Sequence, residues 1–279
     1  MAGLHLVKPV RVGSVTIGGD ALVIIAGPCL AESLELCRTV ARHMVGVAQR
    51  LGAPYIFKAS FDKANRSGAG AARGGGLDAG LAILKAIRNE FGVPVTTDIH
   101  SIDQIEPAAR VVDLLQIPAF LSRQTDLLEA AAASGKPVNV KKGQFLAPWD
   151  CKNIVEKLQA CGASGIVLTE RGTTFGYNAL VVDMPGLETM RGLGVPVCFD
   201  ATHSAQRPGA LGSSTGGARE TIPAMARAAV AVGIDALFLE THPHPSDALS
   251  DAATQWPLDE VEEMLRQVVA IDRAVRVLG

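Results

Sequence analysis

Aromatic residues are scarce in this 279-residue sequence, where Phe, Trp and Tyr together account for 4%. Charge is modest too, at 19% of residues with a formal net charge of −2, which gives nucleic acid and anionic membranes no electrostatic hold on the chain. Long apolar runs are missing: a stretch such as Leu22–Ala26 falls far short of the roughly 20 residues that span a bilayer. Met1–Gly13 has neither the apolar core nor the small-residue cleavage site of a secretory signal. The 5 cysteines (Cys29, Cys37, Cys151, Cys161 and Cys198) are odd in number and scattered, which argues against a disulfide framework. Asn65-Arg66-Ser67 matches a glycosylation acceptor, but without secretion the match is a coincidence. Cofactor fingerprints also fail: Gly68–Arg73 (GAGAAR) lacks the third glycine of a dinucleotide loop and the Gly-Lys-Ser/Thr of a P-loop, and no Gly-x-Ser-x-Gly elbow occurs. The expectation is a cytoplasmic protein with no nucleic-acid partner, no membrane association and no organic cofactor.

What is present is small and aliphatic. Hydrophobic residues make up 48% of the chain, dominated by Ala, Val, Leu and Ile, which suits buried parallel strands and close-packed crossover helices. Helix-period segments repeatedly end at glycine, with a β-branched run just beyond. Gly52-Ala53-Pro54 precedes YIFKAS, Gly92-Val93-Pro94 precedes VTTDI, Gly135-Lys136-Pro137 precedes VNVKK, and Gly194-Val195-Pro196 precedes VCFDA. Gly162 and Gly233 introduce GIVLTE and ALFLET in the same way. Glycine supplies a left-handed helix stop, and proline blocks continuation while fitting the first position of a strand. With LVIIAG near the start and LLQIP at Leu114–Pro118, the apolar runs predict a (β/α)₈ TIM barrel, an α/β fold, as a single domain over residues 1–279. An open doubly wound sheet is the structural alternative. Residues Pro9–Gly19 alternate around a Gly-Ser turn and predict a short N-terminal β-hairpin at the barrel bottom.

A barrel places its chemistry at strand C-termini, and polar residues concentrate there. Strand one ends in Gly27-Pro28-Cys29, strand two in Lys58-Ala59-Ser60, strand three in Asp98 and strand five in Lys141-Lys142. Strand six ends in Glu170-Arg171, strand seven in Asp200-Ala201-Thr202-His203 and strand eight in Glu240-Thr241-His242. Once the barrel closes, strands seven, eight and one are neighbours, so Cys29, His203, Glu240 and Asp251 converge. A thiolate, an imidazole and two carboxylates suit a borderline divalent ion such as Zn²⁺, Fe²⁺ or Mn²⁺. Taken singly, Cys29 reads as packing and Asp251 as a helix cap. The other side carries Lys58, Lys63, Arg66, Lys141 and Arg171, a set suited to a ligand with several phosphate or carboxylate groups. Lys63 and Lys142 also read as outward-snorkelling lysines. Lys141 as a Schiff-base lysine is an alternative that its cationic neighbours do not favour over anion binding. Gly68–Gly76 and Arg207–Arg219 read as lid-like loops.

Beyond these patterns, longer stretches carry a family likeness. AGPCLAES (Ala26–Ser33), FKASFDKANRS (Phe57–Ser67), TDIH (Thr97–His100), IPAFLSRQTDLL (Ile117–Leu128) and NVKKGQF (Asn139–Phe145) resemble the 3-deoxy-D-manno-octulosonate 8-phosphate synthases. So do ERGTTFGYNALVVDM (Glu170–Met184), FDATHSAQ (Phe199–Gln206) and ETHPHPSDALSDAATQWPL (Glu240–Leu258), so the likeness covers nearly the whole chain. The resemblance implies condensation of phosphoenolpyruvate with D-arabinose 5-phosphate and water, in lipopolysaccharide biosynthesis. It implies that Lys63, Lys141 and Arg171 hold phosphoenolpyruvate, with Lys58 nearby. Asn65, Arg66 and Ser67 would hold the sugar phosphate, with Arg123 reaching in from a neighbouring subunit of a homotetramer. Asp98 would contact sugar hydroxyls, and His203 and Asp98 would assist proton movement. Cys29, His203, Glu240 and Asp251 fall on metal positions, and cysteine at the first of them marks the metal-dependent branch. That ion would orient either the aldehyde or the attacking water. The KANRS segment argues against the heptulosonate 7-phosphate synthases, which use erythrose 4-phosphate and carry a Lys-Pro-Arg-Thr type sequence there. The stretch GAGAARGGG after Ser67 departs from the family pattern and puts loop rigidity in question. A non-catalytic sugar-phosphate sensor on a barrel scaffold is the alternative from another class.

Overall fold

A computed structural model describes residues 5–65, 73–210 and 215–278. Its centre is a ring of parallel strands: β1 (Val23–Gly27), β2 (Tyr55–Lys58), β3 (Val95–Asp98), β4 (Leu114–Ile117), β5 (Val138–Lys141), β6 (Ile166–Glu170), β7 (Val197–Asp200) and β8 (Ala236–His242). Each pairs with its neighbour in sequence, and β8 pairs with both β7 and β1, so the sheet closes and an open doubly wound sheet is excluded. The main helices between and after the strands are α1 (Leu34–Leu51), α2 (Leu77–Phe91), α3 (Ile105–Ala109), α4 (Thr125–Ala133), α5 (Cys151–Ala160), α6 (Met184–Arg191), α7 (Ile222–Val232) and α8 (Val261–Leu278), with a single helical turn, Ala201–Ser204, directly after β7. The helix stops work as the sequence indicated, with left-handed φ values from +65° at Gly52 to +104° at Gly233.

Strands that look uniformly apolar in sequence carry two different faces. Ile24, Ala26, Phe57, Leu115, Val140, Leu168, Phe199 and Leu239 pack outward against the helices in one apolar cluster. The residues of opposite parity, Val23, Ile25, Ile56, Leu114, Val167, Cys198, Ala236 and Phe238, form a second cluster with Val10, Val12, Val15 and Ile17. Those four valine and isoleucine side chains come from an antiparallel hairpin, Val10–Val12 paired with Val15–Ile17, which stoppers the N-terminal end of the barrel. Two residues further along the inward rows, the chemistry changes. Lys58 follows Ile56, Gln116 follows Leu114, Thr169 follows Val167, Asp200 follows Cys198, and Glu240 follows Phe238. Because side chains alternate between faces along a strand, this switch puts an apolar plug below and a polar floor above, at the catalytic end of such barrels.

The floor depends on close backbone approach between β1 and β2. A Cβ on Gly27 would lie 2.0 Å from the Lys58 carbonyl oxygen, so any side chain must push the strands apart. Gly27→Ala is expected to cost about 2–3 kcal/mol, at the upper end for overpacking a core. At roughly 2–4 °C per kcal/mol for a protein of this size, thermal denaturation should show a Tm several degrees below wild type. An unchanged Tm would mean that the strands tolerate separation there.

Candidate active site

A cavity of about 830 Å³ opens above the polar floor, lined by Lys58, Lys63, Asn65, Asp98, Lys141, Arg171, His203 and Asp251 among others. Its β8 side holds the acidic cluster. Donor atoms of Cys29, Glu240 and Asp251 all lie within 4.8 Å of one another. Cys29 Sγ is 3.1 Å from Ser250 Oγ and 3.3 Å from Asp251 Oδ2. His203 stands just outside that triple, its Nε2 3.6 Å from both Glu240 Oε2 and Asp251 Oδ2. Its other ring nitrogen, Nδ1, is 2.7 Å from Asp200 Oδ2, a contact that fixes the orientation of the imidazole. Asp251 does not cap a helix; it is held at φ +50°, a conformation that costs an L-residue strain and turns up at functional sites.

The electrostatics of this cluster are those of groups held together against repulsion. Burial, then Asp251 and Glu240, push the Cys29 thiol well above its ordinary value. Burial also works against ionised Glu240, but His203, Lys63 and Lys58 outweigh it and bring that carboxyl down to about 2. Glu240 Oε2 is nevertheless buried without a hydrogen-bond partner. One soft sulfur, one imidazole nitrogen and two carboxylates, with one carboxylate oxygen unsatisfied, fit a borderline divalent cation, which would also favour the Cys29 thiolate.

Across the cavity, Lys141 Nζ is 2.6 Å from Asp200 Oδ2 and 4.1 Å from the centre of the Phe238 ring below it. Arg171 donates through Nη2 to Gln206 Oε1 at 2.8 Å, while its Nη1 is buried without a partner. The two sides are stitched together by lysines. Lys58 Nζ reaches Glu240 Oε1 at 3.1 Å and Asp98 Oδ2 at 3.7 Å, and Lys63 Nζ reaches the same Glu240 oxygen at 3.7 Å. Burial opposes the charge on Lys63, yet Cys29, Glu240, Asp98 and Asp251 together raise its pKa well above the ordinary value. Asp98 is the mirror case: burial opposes its ionisation, and Lys58, Lys63 and Lys141 hold its carboxyl well below the usual range.

The DAHP synthetase I family model matches residues 7–276. The chain belongs to the DAHP synthetase I family. Curated relatives sharpen the picture within it. A protein of Dechloromonas aromatica named 2-dehydro-3-deoxyphosphooctonate aldolase is 56% identical over 92% of this chain and 93% of its own length. Proteins of the same name from Syntrophotalea carbinolica and Trichlorobacter lovleyi are each 54% identical, covering 95% and 97% of this chain and 96% and 100% of their own lengths.

Within this DAHP synthetase I barrel, the structure gathers Cys29, Lys58, Lys63, Asn65, Asp98, Lys141, Arg171, His203, Glu240 and Asp251 around one end. Arg66 and Ser67 lie outside the described residues, as does most of the glycine-rich stretch after them. Arg123 is exposed and does not line the cavity of its own chain. The outward-snorkelling readings of Lys63 and Lys142 are corrected. Lys63 turns inward to the carboxylates, and Lys142 is fully buried outside the cavity lining, 3.4 Å from Glu170 Oε2 and 2.9 Å from Thr173 Oγ1. Buried carboxylates recruit them, since an unpaired interior charge is costly. Sequence reading overlooked Gln116, Asn139 and Thr169, which join Ser60 in linking β2 to β6 through side-chain hydrogen bonds. For Gln116 and Thr169 the available signal was a polar residue two positions beyond an apolar one on the inward row.

Proposed function

We infer that this chain condenses phosphoenolpyruvate with D-arabinose 5-phosphate and water, giving 3-deoxy-D-manno-octulosonate 8-phosphate and inorganic phosphate for lipopolysaccharide biosynthesis. The observation that carries the reading is a cavity with fixed cations on one wall and an acid, thiol and imidazole cluster on the other, in a chain 54–56% identical to proteins named 2-dehydro-3-deoxyphosphooctonate aldolase. Lys141, Arg171 and Lys63 neutralise the phosphate and carboxylate of phosphoenolpyruvate, and the open Arg171 Nη1 is a ready donor. Asp98 accepts from sugar hydroxyls, and Asn65 at the rim, with Arg66 and Ser67, takes the sugar phosphate. Held this way, the methylene carbon of the enol phosphate faces the aldehyde, and an encounter of two anions becomes an oriented one. The new carbon–carbon bond leaves positive character at the enol carbon. Water adds there, its protons pass to nearby bases, and phosphate departs with cleavage of its C–O bond. His203 and Asp98 lie along the cavity wall where the nascent alkoxide gains a proton and the attacking water loses one.

Cys29, His203, Glu240 and Asp251 would hold a divalent ion. When bound, it would supply Lewis-acid polarisation of a substrate or water oxygen. Arg123, exposed on its own chain, is free to complete a neighbour's sugar-phosphate pocket in a homotetramer. The site of action is the cytoplasm; among the described residues no helix is long and apolar enough to cross a membrane. The reading is tested by incubating the protein with phosphoenolpyruvate and arabinose 5-phosphate and identifying the product by mass. An eight-carbon 3-deoxy sugar acid phosphate is expected. A product formed only from erythrose 4-phosphate would transfer the chain to the heptulosonate reaction, and binding without any product would make it a sensor.

A further inference from the structure

The inward rows of β2 to β6 carry a run of fully buried polar side chains that the reaction as described does not use. Ser60 donates to Asp98 Oδ2, and Gln116 Nε2 donates to Asp98 Oδ1. Asn139 Nδ2 donates to Gln116 Oε1 at 3.1 Å, and Thr169 Oγ1 donates to Asn139 Oδ1 at 2.7 Å. Gln116 is also the register partner of Asp98, and Asn139 that of Gln116, across adjacent strands. An apolar floor would be simpler, because every buried polar atom must find a partner or cost stability. Thr169, Asn139 and Gln116 are each fully buried, so none of them touches a ligand in the cavity.

The direction of this chain follows from its end. An ionised Asp98 only accepts, so Gln116 must present its amide NH₂ to it and turn its carbonyl to Asn139. Asn139 must then present NH₂ to Gln116 and carbonyl to Thr169, whose hydroxyl has to donate. Each link aligns the next, and aligned hydrogen bonds polarise one another in the same sense. With one donor on each oxygen, the Asp98 carboxylate cannot rotate. A carboxylate oxygen accepts about two hydrogen bonds, so Oδ1 keeps one lone pair for the cavity that Asp98 lines, while Oδ2 also faces Lys58 Nζ at 3.7 Å.

We propose that Gln116, Asn139 and Thr169 are positioning residues which act through Asp98, fixing its carboxylate plane so that its free lone pair selects a hydroxyl of the sugar phosphate acceptor. A carboxylate repels phosphoenolpyruvate and welcomes hydroxyl donors, so the effect falls on the sugar alone. The inference rests on the proposed condensation of phosphoenolpyruvate with arabinose 5-phosphate.

The test is steady-state kinetics of Gln116→Met, Thr169→Val and Thr169→Ser in the full-length, metal-loaded protein, with both KM values measured. Gln116→Met keeps shape but removes the donor. It should raise the arabinose 5-phosphate KM about tenfold or more while the phosphoenolpyruvate KM stays within about twofold, since small misplacements of a binding group have effects of this size. Thr169→Val should raise the sugar KM severalfold, and Thr169→Ser, which restores the donor, should return it to wild type. The threonine pair differs so little in shape that it reads the chain even if Gln116→Met fails to fold. Equal rises in both KM values, or a Thr169→Ser no better than Thr169→Val, would make the network purely structural and overturn the inference. A wild-type protein that turns over no arabinose 5-phosphate would instead bring down the proposed function, and this inference with it.

Discussion

Stripping divalent metal from the purified protein is expected to abolish turnover, and Zn²⁺, Fe²⁺ or Mn²⁺ should restore it. Cys29, Glu240 and Asp251 present their donor atoms within 4.8 Å of one another, with His203 beside them, a donor set suited to a borderline divalent cation. Burial and the two carboxylates keep the Cys29 thiol protonated, whereas a dication would favour the thiolate. Cys29→Ala should therefore lower bound metal per chain, read by elemental analysis, and reduce activity by about 100-fold or more. Asp200→Asn, which loosens the orienting contact to His203, should cost about 10–100-fold in metal affinity or activity. Full activity in protein shown to contain no metal would reduce Cys29 to a packing residue.

Two adjacent lysines should give opposite phenotypes. Lys141 lines the cavity, and replacing it with methionine removes a cation from the proposed phosphoenolpyruvate pocket while Asp200 keeps His203 and the Thr202 hydroxyl as partners. Lys141→Met should lower kcat/KM by about 100- to 1000-fold, the size seen when one preorganised electrostatic contact is lost, with a smaller fall in Tm than Lys142→Met because Asp200 keeps the Thr202 hydroxyl, the His203 amide and the His203 ring as partners. Lys142 is buried away from the cavity lining against Glu170 and Thr173, so Lys142→Met strands a buried carboxyl. Breaking a buried ion pair costs about 3–5 kcal/mol, or a fall in Tm on the order of 10 °C. Burial already raises the Glu170 pKa despite Lys142, and removing the lysine raises it further. A carboxyl with a raised folded-state pKa binds its proton more tightly when folded. The Lys142→Met defect should therefore be smallest in mild acid and grow as pH rises through that pKa. Comparable loss of activity without loss of stability in both variants would contradict this division.

The division between the two lysines also shows what a linear sequence conceals. Strand positions, glycine helix stops and the hairpin could be read because each depends on local pattern: Gly52 and Gly233 stop helices wherever the barrel places them. Charged residues at strand ends pointed to the site, since Asp98, Lys141 and Glu240 have no reason to follow apolar runs in a core. Which face each residue occupies was harder to see. VNVKK reads as an apolar strand with a basic end, yet Asn139 and Lys141 turn into the barrel beside Val138 and Val140, which face the helices. Lys142 falls on neither expected course because Glu170, distant in sequence, draws it inward. The contacts of Lys58 and Lys63 with Glu240 likewise depend on closure of β8 onto β1. That closure makes one connected site out of what sequence suggested were two opposing sets.

The most direct measurement compares kcat/KM for phosphate release from phosphoenolpyruvate with arabinose 5-phosphate and with erythrose 4-phosphate as acceptor. A large preference for arabinose 5-phosphate, with one phosphate released per eight-carbon product, is the expected result. A preference for erythrose 4-phosphate, or no phosphate release with either sugar, would contradict it.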